Sequence, residues 1–235
     1  MRMLSPQEFH TEVEPIVRRI FRPIDTAVHP DLQRLADAAD GYMPDWLYEP
    51  FLPAIERRGA ISNIINGLTK HQCRALAVAA TAVGESGFYV YVAEAGITER
   101  ALLDFPPRFF TVDTEADIEQ FVWEYGAIAV AANAMVAPTG RWGLLTSRGD
   151  HAVIGGTEQD FVDSFYTAWG TTAEQQAREF LRGYEPSIWL NNLGRDPGFR
   201  GDPGREEKCG WVPILLRHLY GEELATRFIA EARSS

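Results

Sequence analysis

The sequence predicts a mixed α+β protein with a helical N-terminal half, a small central antiparallel sheet and C-terminal helices. Helical spacing of apolar residues and N-cap signals occur at both ends, whereas the middle holds runs of β-branched and aromatic residues bounded by glycines. With 235 residues, 46% of them hydrophobic, the chain is long enough to bury a sizeable core. We predict a single domain over 1–235, mostly helical over 1–84, sheet-containing over 85–182, with a mobile loop over 191–210 and terminal helices over 211–232.

The N-terminal third has the signals of several helices. Ser5-Pro6-Gln7-Glu8 forms a capping box with proline at the first helical position, and Pro15 should kink or split the helix that follows. Further helices are predicted over 30–39 and 44–58. The alanine-rich segment 70–83 predicts a buried helix that ends at Gly84.

The middle of the chain changes to strand signals. Residues 87–93 and 108–112 are dense in aromatic and β-branched side chains and predict two strands. Asp113 or Thr114 can then cap a helix that carries Ile118, Phe121, Val122 and Tyr125 on one face. The run 127–136 fits either a buried helix or a buried strand, and its alanines favour the helix.

The segment after residue 141 predicts a hairpin followed by helices. Residues 142–147 and 151–155 form two strand patterns, and Arg148-Gly149-Asp150 between them has hairpin chemistry. Thr157 can cap the next helix, and Thr172 with Gln175 forms the capping box of another. The chain closes with two helices, Trp211–Tyr220 and Glu222–Ala232, separated by Gly221.

The hairpin and the helix after it carry one loose resemblance. Residues 142–145, 152–156 and 161–165 are similar to the strand–turn–strand–helix of bacterial immunity proteins, which block toxins in the producing cell. The likeness covers about 25 residues, and its elements are generic to small α+β proteins. It therefore suggests a role without identifying a family.

The charge of the chain limits its partners. The 33 acidic residues against 22 basic ones give a formal net charge of −11, and the longest basic run has two residues. Nucleic acid and anionic membranes need a basic surface, so we expect neither as a partner. An acidic surface favours a basic protein partner, although many bacterial cytosolic proteins are acidic without such a role.

Cysteine usage and missing motifs suggest a reduced compartment and no cofactor. Cys73 and Cys209 do not make a disulfide framework at this size, and the first residues lack an apolar signal region, so we expect a cytoplasmic protein. Five scattered histidines and the lack of a glycine-rich phosphate loop predict neither a bound metal nor a nucleotide cofactor.

Three polar residues of the hairpin are the best catalytic candidates if the protein is an enzyme. Ser147, Asp150 and His151 supply a nucleophile, an acid and a base of the types used in acyl transfer. Adjacent strand residues point to opposite faces, however, so turn residues next to a polar histidine are the favoured interpretation.

Two functions remain open at this stage, with a structural subunit of a larger assembly as a third. The first is a cytoplasmic acidic binding protein, of the immunity type, that neutralises a basic toxin. Its contacts are predicted at acids and aromatics on the C-terminal side: Tyr184, Glu185, Trp189, Glu206, Glu207 and Trp211. The alternative is a small-molecule enzyme or ligand-binding protein, with a pocket between sheet and helices that is lined by Tyr89, Tyr91, Trp142 and His151.

Overall fold

A seven-stranded antiparallel sheet lies at the centre of the computed structural model. The structure describes residues 1–25, 44–45, 48–62, 67–92, 108–128, 133–146, 151–183 and 211–233. In chain order the elements are β1 (Arg2–Met3), α1 (Pro6–Glu8), a π-helical turn (Phe9–Val13), α2 (Glu14–Ile20), β2 (Arg57–Ile61), α3 (Lys70–Ala82), β3 (Gly87–Val92), β4 (Arg108–Asp113), α4 (Ile118–Ile128), β5 (Asn133–Val136), β6 (Trp142–Thr146), β7 (Ala152–Gly156), α5 (Gln159–Trp169), α6 (Ala173–Gly183) and α7 (Trp211–Arg233).

The strands follow the order β1-β4-β3-β5-β6-β7-β2, and helices pack on both faces of the sheet. The N-terminal helical segment, α6 and α7 cover one face, where Tyr91 is buried. Helices α3, α4 and α5 cover the other, where Val90 is buried. Neighbouring residues of one strand thus feed two separate cores. The mixed α+β class is confirmed, whereas the first half is not simply helical because it contributes β1 and β2 to the sheet.

Several structures predicted from local sequence signals are present. The Ser5 hydroxyl accepts the Glu8 N–H, and the Glu8 carboxylate accepts the Ser5 N–H in return. Ahead of Pro15 the helix widens into the π-helical turn, where Glu14 N–H donates to the carbonyl of Phe9, and it then continues as α2. Strands β6 and β7 form the predicted hairpin. Gly221, at a φ of 77°, divides α7 between its two predicted halves.

One helix prediction is wrong, and the run 127–136, which fitted either a helix or a strand, ends α4 at Ile128 and supplies a strand at its other end. Over 44–58, Phe51 instead forms an isolated β-bridge with Phe21, and Arg57 begins β2. Residues 133–136 form β5, because hydrogen-bonded pairing with both β3 and β6 outweighs the helix propensity of alanine. The helix predicted over 30–39, the turn at 148–150 and the loop at 191–210 lie outside the described residues.

Two predicted caps differ from the observed helix starts, and a third forms without the second half of its capping box. Helix α5 begins after Glu158 rather than at a Thr157 cap. Asp113 accepts the N–H groups of Glu115 and Ala116, so it caps a turn that precedes α4. Thr172 does accept the N–H of Gln175, but the Gln175 side chain donates to Glu179 instead of closing the box.

A pair of glycines in the hairpin makes room for aromatic packing. Gly143 and Gly155 are directly opposite in the β6–β7 register. A Cβ at Gly143 would lie 2.7 Å from the ring of Phe21, and one at Gly155 would lie 2.6 Å from Ile55 and 2.9 Å from the ring of Phe51. The absent side chains therefore leave a shallow groove for the Phe21–Phe51 pair, whose ring centroids are 5.4 Å apart.

Strand β2 lies at the end of the sheet, and side chains from helices bind its outer backbone groups. The Ala60 N–H donates to the hydroxyl of Tyr220, and the Ala60 carbonyl accepts from the hydroxyl of Tyr166, both at 2.8 Å. Two residues on, the Ser62 N–H donates to Gln176 Oε1 at 3.0 Å. Gly59 is required beside them, because a Cβ there would collide with the Tyr166 hydroxyl. These contacts fix β2 against α5, α6 and α7.

Candidate functional site

A cavity of about 850 Å³ lies where β2 meets α5, α7 and the segment 49–56. Its apolar wall includes Val162, Ile214 and Leu224. Its polar wall includes Arg58 of β2 and His218 of α7, which are 160 residues apart in the chain. Pairing of β2 with β7 and packing of α7 beside β2 bring these two side chains together. This combination of an apolar wall and a few polar groups is typical of ligand sites.

Arg58 is held by backbone carbonyls rather than by an acid. Its Nε donates to the carbonyl of Ile55 at 2.5 Å, its Nη1 to that of His218 at 2.8 Å and its Nη2 to that of Leu52 at 3.3 Å. Within the part of the chain that the structure describes, no carboxylate lies within ion-pair distance of it. Burial, followed by the charge of Arg22, lowers the pKa of Arg58. The guanidinium is thus fixed in place with its charge uncompensated by direct contact.

His218 lies against this guanidinium. Its Nε2 accepts the Phe51 N–H at 3.1 Å, and its Nδ1 lies 3.1 Å from Arg58 Nη1. Burial, followed by the charges of Arg58 and Arg22, lowers the pKa of His218 from 6.5 to about 3. The imidazole is therefore neutral at pH 7, because both desolvation and the adjacent cations oppose its protonation.

The other charges of the cavity are mixed. Arg217 is paired with Glu222 at 3.1 Å, whereas the described residues provide no ion pair for Arg57. Three acids share the lining: Glu49, which is paired with Arg22 at 2.6 Å, and the exposed Glu56 and Asp163. The cavity is thus far less acidic than the chain as a whole, and it can accept a singly charged anion more readily than a multiply charged one.

A second candidate surface lies at the start of α4, and none of its residues lines the cavity. Residues 113–124 contain five carboxylates and no lysine or arginine. The backbone N–H groups of Ala116 and Glu115 lower the pKa of Asp113, and the Arg74 guanidinium lowers the pKa of Glu119. Asp113 and Glu119 therefore stay ionised at neutral pH. We call residues 113–124 the acidic strip.

Trp123 is the large exposed apolar side chain of the acidic strip. Its side chain is 70% exposed, an unusual state for so large an aromatic residue. The ammonium of Lys70, from the start of α3, lies 3.1 Å from the centroid of its ring. Next to it, Arg74 binds Glu119 through two hydrogen bonds of 2.8 Å. An exposed indole in an acidic segment attracts cationic side chains through the face of its ring and through the nearby carboxylates.

Among the catalytic candidates, only His151 lies in the described residues; Ser147 and Asp150 lie outside them. His151 is 3% exposed. Its ring stacks on Trp211, with centroids 5.2 Å apart, and meets the edge of Phe180 at the same distance. The imidazole is packed into the core below α7, and a catalytic role for it stays a prediction.

The predicted pocket aromatics do not share a cavity. Tyr91 is buried against Phe9 and Phe109 on the face covered by α7, with Tyr89 packed against the same cluster. Trp142 is buried on the other face and stacks on Phe161 at 4.4 Å. The sheet lies between these two sets, so Trp142 cannot line one pocket with the tyrosines. The cavity at Arg58 and His218 lies elsewhere, at β2.

The predicted partner contacts lie almost entirely outside the described residues. This holds for Tyr184, Glu185, Trp189, Glu206 and Glu207. Trp211 is described, and it is 6% exposed because it packs on His151 at the start of α7. In this position its indole belongs to the core, and a partner role for it stays a prediction.

Comparison with known proteins gives no relative. No family model matches the chain, and neither a curated protein nor a solved structure matches it. In the described parts of the chain, no group of three or more histidine, cysteine or acidic side chains could hold a metal ion. Nor does any helix there have both the length and the apolarity to cross a membrane. A function must therefore be argued from the residues and their arrangement.

Two functional features were missed in the sequence, and only one had a readable signal. Trp123 lies roughly 150° around α4 from the centre of the face formed by Ile118, Phe121, Val122 and Tyr125, at 100° per residue. That offset predicts an exposed indole. No local pattern links Arg58 with His218, because their contact depends on the pairing of β2 and the packing of α7.

Proposed function

We propose that this chain is a non-enzymatic, cytoplasmic binding protein whose acidic surface docks a basic protein partner, in the manner of an immunity protein that neutralises a basic toxin. The observation that carries the proposal is the acidic strip, a segment with five carboxylates and no lysine or arginine of its own, which presents an indole that is 70% exposed. Tryptophan contributes strongly to protein interfaces because it buries much area at low entropic cost.

Charge supports a cationic partner over a neutral one. A net charge of −11 attracts a basic protein over a distance of about a Debye length and raises its association rate. At the strip itself, Lys70 already occupies the face of the Trp123 ring, and Arg74 already binds Glu119. Lysine or arginine side chains of a partner can replace these internal cations with little change in local charge. The Trp123 ring and the Glu119 carboxylate are thus already arranged to bind cationic side chains of a partner.

Site-directed photocrosslinking identifies the partner. A benzophenone amino acid at position 123 should capture a basic protein in the source cell, and the same group at exposed Val78 on α3 serves as a nearby control. The captured protein is then purified for kinetic measurements. Capture of an acidic protein at position 123 contradicts the proposal.

Salt-dependent association rates then test the electrostatic mechanism with the captured protein. Replacing Glu115, Glu119 and Glu124 together with glutamine should slow association about tenfold at low salt and weaken its salt dependence. A matched control replaces Glu12, Glu222 and Glu223, which lie on the other face of the sheet, and removes the same charge. Equal rates for the two triple variants would show that net charge alone acts and that the strip is not the docking surface.

The C-terminal acids offer a second place for the same partner. Charge reversal at Glu206 and Glu207 should slow association and weaken its salt dependence if they make contact. Unchanged association at low salt removes that surface and leaves the acidic strip. The two sets of variants therefore distinguish the two positions.

A ligand-binding role is the second candidate function. The observation that favours it is the cavity of about 850 Å³ at Arg58 and His218, a volume within the range of small-molecule sites. Binding there and docking at the acidic strip use different residues, so one protein can carry both.

A further inference from the structure

The hydrogen bonds around Arg58 leave donors available at the cavity. A guanidinium has five N–H groups. Three of those of Arg58 donate to the carbonyls of Ile55, Leu52 and His218. The remaining two belong to Nη1 and Nη2, and Nη1 faces the ring of His218.

The His218 ring cannot accept at both nitrogens. A neutral imidazole has one N–H and one acceptor nitrogen. Because Nε2 accepts the Phe51 N–H, the proton belongs on Nδ1, which then faces Arg58 Nη1 at 3.1 Å. Two N–H groups thus face each other in direct contact. An oxygen beside the two nitrogens, on the cavity side, could accept from both groups and relieve the opposition.

The charge and shape of the cavity define what carries that oxygen. Arg58 has no carboxylate within ion-pair distance among the described residues, so an anionic oxygen is favoured. Glu49, Glu56 and Asp163 lie on the same lining and disfavour a doubly charged phosphate. The apolar wall of Val162, Ile214 and Leu224 adds room for a hydrocarbon body.

We infer that this cavity binds an organic monocarboxylate, with the carboxylate against both Arg58 and His218 on their cavity side and the apolar body against Val162, Ile214 and Leu224. The inference deepens the second candidate function by naming its ligand class, and it does not depend on the acidic strip. Planar guanidinium groups match carboxylates in geometry as well as in charge.

Calorimetric titration with three probes tests the ligand class. Octanoate, below its micelle concentration, should bind at least about tenfold more tightly than acetate, because only octanoate has a body that reaches the apolar wall. It should also bind more tightly than inorganic phosphate. Phosphate binding more tightly than octanoate, or no binding of octanoate at millimolar concentration, overturns the inference.

Matched variants locate the binding. Arg58→Gln should weaken octanoate binding about tenfold or more, since it removes a charged hydrogen-bond donor. Arg182→Gln, at an exposed position of α6, makes the same chemical change outside the cavity and should leave the affinity unchanged, as should Trp123→Ala. Equal affinities of the Arg58 and Arg182 variants contradict the assigned site. Trp123→Ala affects only docking at the acidic strip, and Arg58→Gln affects only the cavity. The failure of one proposal can therefore be distinguished from the failure of the other.

A measurement on the unmodified protein covers the case in which Arg58→Gln does not fold. Bound octanoate should raise the pKa of His218, because a carboxylate stabilises the imidazolium that the adjacent arginines disfavour. Histidine ring resonances followed by NMR from pH 7 to pH 4 report this change. Ring signals of His218 that do not respond to saturating octanoate overturn the inference.

Discussion

Lowering the pH from 7 to 5 should weaken the fold through His218. Burial and the charges of Arg58 and Arg22 lower the pKa of this imidazole from 6.5 to about 3 in the folded protein. Below pH 6.5 the unfolded chain binds a proton at His218 that the folded chain does not bind. The free energy of unfolding therefore decreases as the pH falls from 6.5 toward 3, and above 6.5 the contribution is constant.

The size of the effect follows from the width of that interval. Each pH unit between the two pKa values is worth about 1.4 kcal/mol, so the interval from 6.5 to 5 gives an upper limit of about 2 kcal/mol. His218 is only half-buried and faces the cavity, so solvent screens part of the effect. We expect a loss of about 1 kcal/mol at pH 5.

Urea unfolding at pH 7 and pH 5 measures this loss. His218→Gln keeps an acceptor for the Phe51 N–H and cannot titrate, so its stability should change less between the two pH values than that of the unmodified protein. His71→Gln, at an exposed position of α3, is the control for a histidine replacement as such. Glu49, an acid close to this group of cations, is bound to Arg22 at 2.6 Å. The same pH dependence for both the unmodified protein and His218→Gln would refute the reasoning.

Three further predictions concern the packing of the sheet. Gly155→Ala should destabilise the protein by about 1–3 kcal/mol in urea unfolding, because its Cβ would lie 2.6 Å from Ile55; Gly183→Ala, with open space around it, should be neutral or stabilising. Gly59→Ala should lower the free energy of unfolding by about 2 kcal/mol, and adding Tyr166→Phe to that variant should restore about 1 kcal/mol by removing the hydroxyl that collides with the new Cβ. If the effects of the two substitutions simply add, the predicted collision is contradicted. In a Cys209→Ser variant, Cys73 should resist thiol reagents until urea unfolds the chain, because burial raises the pKa of its thiol to about 12; rapid labelling of that folded variant would contradict this.

The elements that sequence predicted well are those whose signals are local. Ser5 and Glu8 satisfy each other within one turn, and the hairpin of β6 and β7 needs only two adjacent strand patterns. Strand β2 has no such signal: Arg57-Arg58-Gly59 is polar and small, and the strand exists because β7, distant in the chain, pairs with it. Likewise, alanine in 133–136 favours a helix only until β3 and β6 supply partners on both sides.

The candidate sites differ in the same way. The exposed position of Trp123 could be derived from the helical face opposite to it, since α4 is amphipathic by itself. The cavity depends on a contact between residues 160 apart, and on the backbone carbonyls that hold Arg58. The predicted aromatic pocket failed for a related reason, because residues on β3 and β6 were grouped by type without knowing which face of the sheet each one occupies.

The hydroxyls of Tyr166 and Tyr220 and the amide of Gln176 have a consequence for self-association. They occupy the Ala60 and Ser62 groups with which a strand from a second molecule would have to pair. Growth of the sheet into a fibril at β2 would first require those three side chains to withdraw. The opposite margin, β1, is only two residues long, so it offers a template too brief for stable cross-molecular pairing.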